Sequence, residues 1–157
     1  MLETQPQTAL ADPLAQLVGR LEAAEDFVSV VASLQAGHGA TLDGVRGSAS
    51  ALAAAALVQH CPATLVVVCP HPGDIDDFSE EVRLFSAEPI EKFPAWETLP
   101  SEASPGDEVV GDRLRLLKLL AAPSPPRLIV TSIQSLLQPV SEPDQLRAQT
   151  RRLAGGE

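Results

Sequence analysis

Aromatic side chains are scarce: the 157 residues include four Phe, one Trp and no Tyr. Since 45% of the chain is nonetheless hydrophobic, its core must be aliphatic, built from Ala, Leu and Val. Basic residues are scarce too, 11 Lys and Arg against 21 Asp and Glu, for a net charge of −10. Nucleic-acid binding neutralises backbone phosphates with Lys and Arg. Here only Arg147, Arg151 and Arg152 cluster, so a stand-alone DNA-binding module is not expected. Cysteine is limited to Cys61 and Cys69. A strand over residues 64–69 would hold these two farther apart than the roughly 7 Å limit for bridged Cα atoms, which favours free thiols in a reducing compartment. The longest apolar run, residues 51–58, is far below the roughly 20 residues of a membrane span. The polar start lacks the basic-then-apolar pattern of a secretory signal. A cytoplasmic protein with no membrane association is expected.

The length fits one domain, and the patterning divides it. Residues 1–11 show no periodicity and read as a loose tail. Residues 12–140 read as the domain. Asp12-Pro13 resembles a helix start, and Leu14, Leu17 and Leu21 follow on one stripe. Phe27, Val30, Val31 and Leu34 mark a second helix stopped by Gly37. Residues 40–44 are a short strand candidate, and residues 48–59 an Ala-rich helix. Residues 64–69 and 127–131 are continuous β-branched runs of the kind buried on both faces of a parallel sheet. Between them lie a helix with Ile75, Phe78, Val82 and Phe85 on one face, a short strand over 90–93, a loop over 94–106 and a helix with Val110, Leu114, Leu117 and Ala121 in line. Residues 132–137 suggest a short helix. This alternation predicts an α/β fold, a parallel sheet with helices on both faces and right-handed crossovers. Residues 141–157 read as a linker and the start of a truncated second domain.

The stretch Gly44-Val45-Arg46-Gly47-Ser48-Ala49-Ser50-Ala51 occupies the place of a phosphate-binding loop, between a first strand and a helix. A working loop reads G-x-x-x-x-G-K-[ST]: the second Gly lets backbone wrap the phosphate, the Lys reaches the β- and γ-phosphates, and the hydroxyl binds Mg²⁺. Gly44 supplies the first Gly and Gly47 keeps the turn pliable. Ala49 replaces the second Gly, Ser50 the Lys and Ala51 the Ser or Thr. The strands over 64–69 and 127–131 also lack an acidic end for a metal. The fold is therefore expected to be degenerate P-loop NTPase-like, with no bound cofactor and no catalysis. A plain Gly-x-x-Gly-Ser turn is the structural alternative.

Three segments carry a resemblance to a known family: residues 44–52, residues 93–100 (Phe-Pro-Ala-Trp-Glu-Thr-Leu-Pro) and residues 130–137 (Val-Thr-Ser-Ile-Gln-Ser-Leu-Leu). The chain resembles the amino-terminal, UvrB-homology region of bacterial transcription-repair coupling factors over roughly residues 40–149, with Gly111-Asp112-Arg113-Leu114 in the expected order. The resemblance implies a fold like UvrB domain 1a. UvrB itself keeps an intact nucleotide loop and a long DNA-clamping hairpin after the segment matching 93–100. Here the loop is degenerate and only residues 101–108 stand in the hairpin's place, which favours the coupling factor. The family's whole protein binds stalled RNA polymerase, moves on DNA with ATP and Mg²⁺, and recruits UvrA. The resemblance therefore implies a non-catalytic module in nucleotide excision repair that supports UvrA recruitment and restrains the motor. Its partners would be other domains of the same protein, UvrA through the following domain, and RNA polymerase and DNA through later ones, with residues 141–157 as the second domain's first strand. A UvrB-like DNA-contacting or nucleotide-binding repair domain is the alternative.

Other candidates are weaker. Trp96, in a Pro-flanked loop, reads either as a docking anchor or, preferably, as packing with Phe93 at the sheet edge. His38, His60 and His71 lack metal-ligand spacing with each other or with the cysteines. Asp74, Asp76 and Asp77, with Glu80 and Glu81, suit the negative first turn of a helix better than a cation site. Ser48 and Ser50 have only Arg46 nearby and no local His.

Overall fold

A computed structural model describes residues 13–96 and 108–149. The tail over 1–11 and Asp12, most of the loop over 94–106, and Arg151 and Arg152 lie outside those residues. Contacts divide the chain into two units, residues 1–62 with 80–88, and residues 63–79 with 89–157.

The first unit is helical. Helix α1 (Pro13–Glu22) packs on α2 (Glu25–Gln35) and on α3 (Ser48–His60). Phe27 is its largest buried apolar side chain and meets the His60 ring edge-on, centroids 6.1 Å apart. His60 Nε2 also pairs with Glu22 Oε1 at 3.1 Å. Helix α2 ends as its sequence suggests: Gly37 takes φ +79°, and His38 N–H donates to Ser33 O at 3.0 Å. In α3, Ala51, Ala53–Ala56 and Val58 are all buried. Four consecutive buried positions sweep a full helical turn, so no polar stripe could be accommodated there. Alanine, the best helix former, also allows the closest approach.

The second unit holds a three-stranded, all-parallel sheet in the order β1-β3-β2, with β1 at Leu65–Cys69, β2 at Ile90–Phe93 and β3 at Leu128–Ser132. Leu128 pairs with Leu65 on one side and Ile90 on the other. Helices α4 (Asp74–Arg83) and α5 (Glu108–Leu120) make the crossovers, followed by α6 (Ile133–Leu137) and α7 (Pro143–Gln149). Cys69, Ile75 and Val130 form one core cluster with Val67, Phe78 and Ile90 around it; Phe93, Leu116 and Ile129 form a second.

Four expectations need correction. Residues 40–44 form a turn, not a strand: the Asp43 carboxylate accepts from Gly44 N–H at 2.8 Å and Gly44 takes φ +74°. With one β-branched residue, and an Asp-Gly pair that favours turns, the segment has nothing to hold it extended. The run over 64–69 is an edge strand; Val66 and Val68 stay 47% and 42% exposed, and only β3 is buried throughout. The buried face of α5 is Arg113 with Leu116, rotated from the stripe Val110, Leu114 and Leu117, which is only half-buried. Residues 143–149 form a helix where the family resemblance implied a strand, opened by Pro143 at its first position and Asp144 in its first turn.

If the two core clusters hold the second unit, Leu116→Ala should cost about 2–5 kcal/mol, whereas Leu137→Ala, at a site 82% exposed, should change stability by less than about 0.5 kcal/mol. Urea unfolding of the two variants measures the contrast.

Candidate functional site

The phosphate-loop candidate and the other singled-out residues fall in different places. Gly44, Gly47 and Ala49 are exposed, Ser50 is half-buried in the first turn of α3, and Ala51 is buried in that helix. Gly47 caps α3 with φ +56°, and Ser50 N–H donates to Gly47 O at 2.8 Å. The helix start is thus as expected, while the strand that should precede it is a turn. The match of Ser50 and Ala51 to the Lys and hydroxyl positions of a phosphate loop therefore rests on the sequence pattern alone.

The second unit has a crevice at the carboxyl ends of its strands, where open parallel sheets bind their ligands. Pro72 and Gly73 follow β1, Pro94, Ala95 and Trp96 follow β2, and Gln134 follows β3; Ile75, Asp76, Lys92, Glu108, Val109 and Asp112 complete a cavity of 660 Å³. Asp76 and Lys92 form an ion pair, 2.5 Å between Nζ and Oδ1.

One wall of the crevice is fixed by Arg113. Its side chain is 2% exposed. The guanidinium carbon lies 4.0 Å from the centroid of Phe93 and 4.9 Å from that of Trp96. Nη1 donates to Pro94 O at 2.6 Å and Nη2 to Pro139 O at 3.3 Å. Burial pulls the Arg113 guanidinium down to about 10, so it stays charged at neutral pH. A planar guanidinium can face aromatic rings while its edge donates to carbonyls, which an ammonium cannot do. Gln138 completes the clamp, accepting from Trp96 N–H at 2.6 Å and donating to Trp96 O at 3.1 Å. The hydroxyls beneath are also used: Thr131 Oγ1 donates to Phe93 O at 2.9 Å, and Ser132 Oγ caps α6 by accepting from Ser135 N–H at 3.1 Å.

Trp96 and Phe93 both face the Arg113 guanidinium, and Trp96 also lines the crevice. Arg113 was legible only as part of a family-like tetrapeptide, and Gln138 not at all. An Arg set among Val109, Leu116 and Leu117 on a helix was the available signal. His71 N–H donates to the Asp74 carboxylate at 3.2 Å, and Asp74, Asp76 and Asp77 form the first turn of α4. Among the described residues no three His, Cys, Asp or Glu side chains gather as a metal site. Cys61 and Cys69 form no disulfide, and burial, with Asp74 nearby, pushes the Cys69 thiol up, away from the reactive thiolate.

The fold is α/β, with helices and, in the second unit, a small parallel sheet. No family model matches the chain. It is 41% identical over 101 residues to the transcription-repair-coupling factors of Mycobacterium bovis and Mycobacterium tuberculosis, a match covering 60% of this chain and 8% of each relative. These relatives bear out the resemblance drawn from residues 44–52, 93–100 and 130–137. Among the described residues no helix is long and apolar enough to cross a membrane.

Replacing Arg113 with Lys leaves at least one part-buried carbonyl without its donor and removes the ring stacking, at an expected cost of about 1–3 kcal/mol. Arg115→Lys, at a side chain 51% exposed, should cost under about 1 kcal/mol. Unfolding followed through Trp96, the single Trp, reports both.

Proposed function

We propose that this chain is a non-catalytic module of a transcription-repair coupling factor, the part related to UvrB, and that it supports UvrA recruitment and motor regulation in transcription-coupled nucleotide excision repair. The observation that carries this reading is the 41% identity to two coupling factors, in a chain whose loop has Ala49, Ser50 and Ala51 where nucleotide chemistry needs Gly, Lys and a hydroxyl. In this reading ATP and Mg²⁺ belong to a motor elsewhere in the whole protein. UvrA is met through a following domain, and RNA polymerase and DNA through later ones. The chain's own task is to be a fixed element for the rest to work against, in the cytoplasm.

Charge supports a role without direct DNA contact. At net −10 the domain's field opposes a polyanion, and screening over about 8–10 Å at physiological salt weakens that field without reversing it. The three clustered arginines could neutralise few phosphates. Fluorescence titration of the chain with a short labelled duplex at physiological salt should show no binding. Micromolar, salt-sensitive binding would instead make it a UvrB-like DNA-contacting domain.

A further inference from the structure

The two edges of the three-stranded sheet are unlike. On β2, Glu91 and Lys92 hold the middle of the strand, and each is tied to a helix. Glu91 Oε2 lies 2.6 Å from Arg115 Nη2 of α5 on one face, and Lys92 pairs with Asp76 of α4 on the other. Charged side chains on an edge strand discourage pairing with another chain. The β1 edge carries Leu65-Val66-Val67-Val68-Cys69, without a charge. An unguarded edge rich in β-branched residues invites a further strand.

Register identifies which groups are open. Leu65 N–H donates to Arg127 O at 2.8 Å, and β1 runs parallel to β3 through Cys69. The ladder therefore takes the backbone groups of Leu65, Val67 and Cys69. The N–H and C=O groups of Val66 and Val68 point to the open edge, and the side chains of the same two residues are exposed on one face.

Two such edges fit each other. In an antiparallel pair centred on Val67, Val66 of one copy stands opposite Val68 of the other, and the reverse. Each of these pairs exchanges both of its N–H···O bonds, so every open backbone group of Val66 and Val68 finds a partner. Each is also a Val–Val pair, a favourable cross-strand contact.

We propose that the chain associates with a second copy of itself through the β1 edge, making one six-stranded sheet with an antiparallel seam at Val67. Because the guarded β2 edges then lie at both ends, association stops at a dimer. The inference does not depend on the family reading.

So small a contact is a weak one, so sedimentation is run at about 100 μM chain and should give a dimer that grows with concentration and no larger species. The net charge of −10 opposes association, so the dimer fraction should rise with salt. V66K/V68K sets Lys opposite Lys across the seam while bringing the net charge nearer zero, and should weaken association about tenfold. L137K, on the exposed end of α6, should leave it unchanged. Amide exchange gives a readout that needs no variant: Val66 and Val68 should exchange more slowly at about 100 μM than at about 1 μM chain. A monomer at every concentration, a dimer fraction that falls with salt, full association of V66K/V68K, loss of association in L137K, or unchanged exchange at Val66 and Val68 would each overturn the proposal.

Discussion

A buried arginine holds the second unit's edge in place. Arg113 takes a cation from the middle of α5 into a space where an aliphatic side chain would have been cheaper to desolvate. In return one side chain touches three separate pieces of chain: the Phe93–Trp96 exit from β2, through two rings and the Pro94 carbonyl; α5 itself; and Pro139 beyond α6. Gln138 adds a two-way amide clasp on the Trp96 backbone. A loop that leaves a sheet edge through a proline has no ladder of hydrogen bonds to fix it. Here side chains supply that order, and the shape of the crevice wall follows from it.

Much of the architecture could be read from residue pattern. The strand over 90–93, the helix beginning at Ser48 and the Gly37 cap appear at the positions their sequences suggest, since each rests on a local rule that tertiary contacts did not override. Burial was harder. Residues 65–69 and 128–132 each open with a Leu and three β-branched residues, yet one strand lies at the edge and the other at the centre. Strand order is decided by crossovers and long-range packing, which leave no local mark. The same limit explains residues 40–44, where position before a helix suggested a strand that the Asp43–Gly44 turn excludes. On α5 the buried face includes a charged residue, so a reading by hydropathy alone turned the helix by about one residue.

The site was legible in the same uneven way. Phe93 and Trp96 drew attention because aromatics are so scarce, and both sit in the clamp. Their partners Arg113 and Gln138 lie 17 and 42 residues from Trp96, a separation that no local motif bridges. The convergence of Asp76, Lys92, Glu108 and Asp112 arises only once three strands end at one edge. By contrast, the substitutions at Ala49, Ser50 and Ala51 needed no structure, because the chemistry they lack is defined by residue type.

The chain is similar to coupling factors over a stretch that is 8% of their length, and the proposed reading makes it a module that does not take nucleotide. The most direct measurement is a thermal melt of this chain with millimolar Mg-ATP, with calorimetric titration alongside. A ligand at 100 times its dissociation constant would add about 2.7 kcal/mol of stability, a shift easily resolved. No shift and no heat of binding are predicted, and no hydrolysis even after A49G/S50K/A51T restores the loop sequence, because the strands at 65–69 and 128–132 end in Cys69 and Ser132 and not in a metal-binding carboxylate. Clear stabilisation of the unaltered chain by Mg-ATP would contradict that reading.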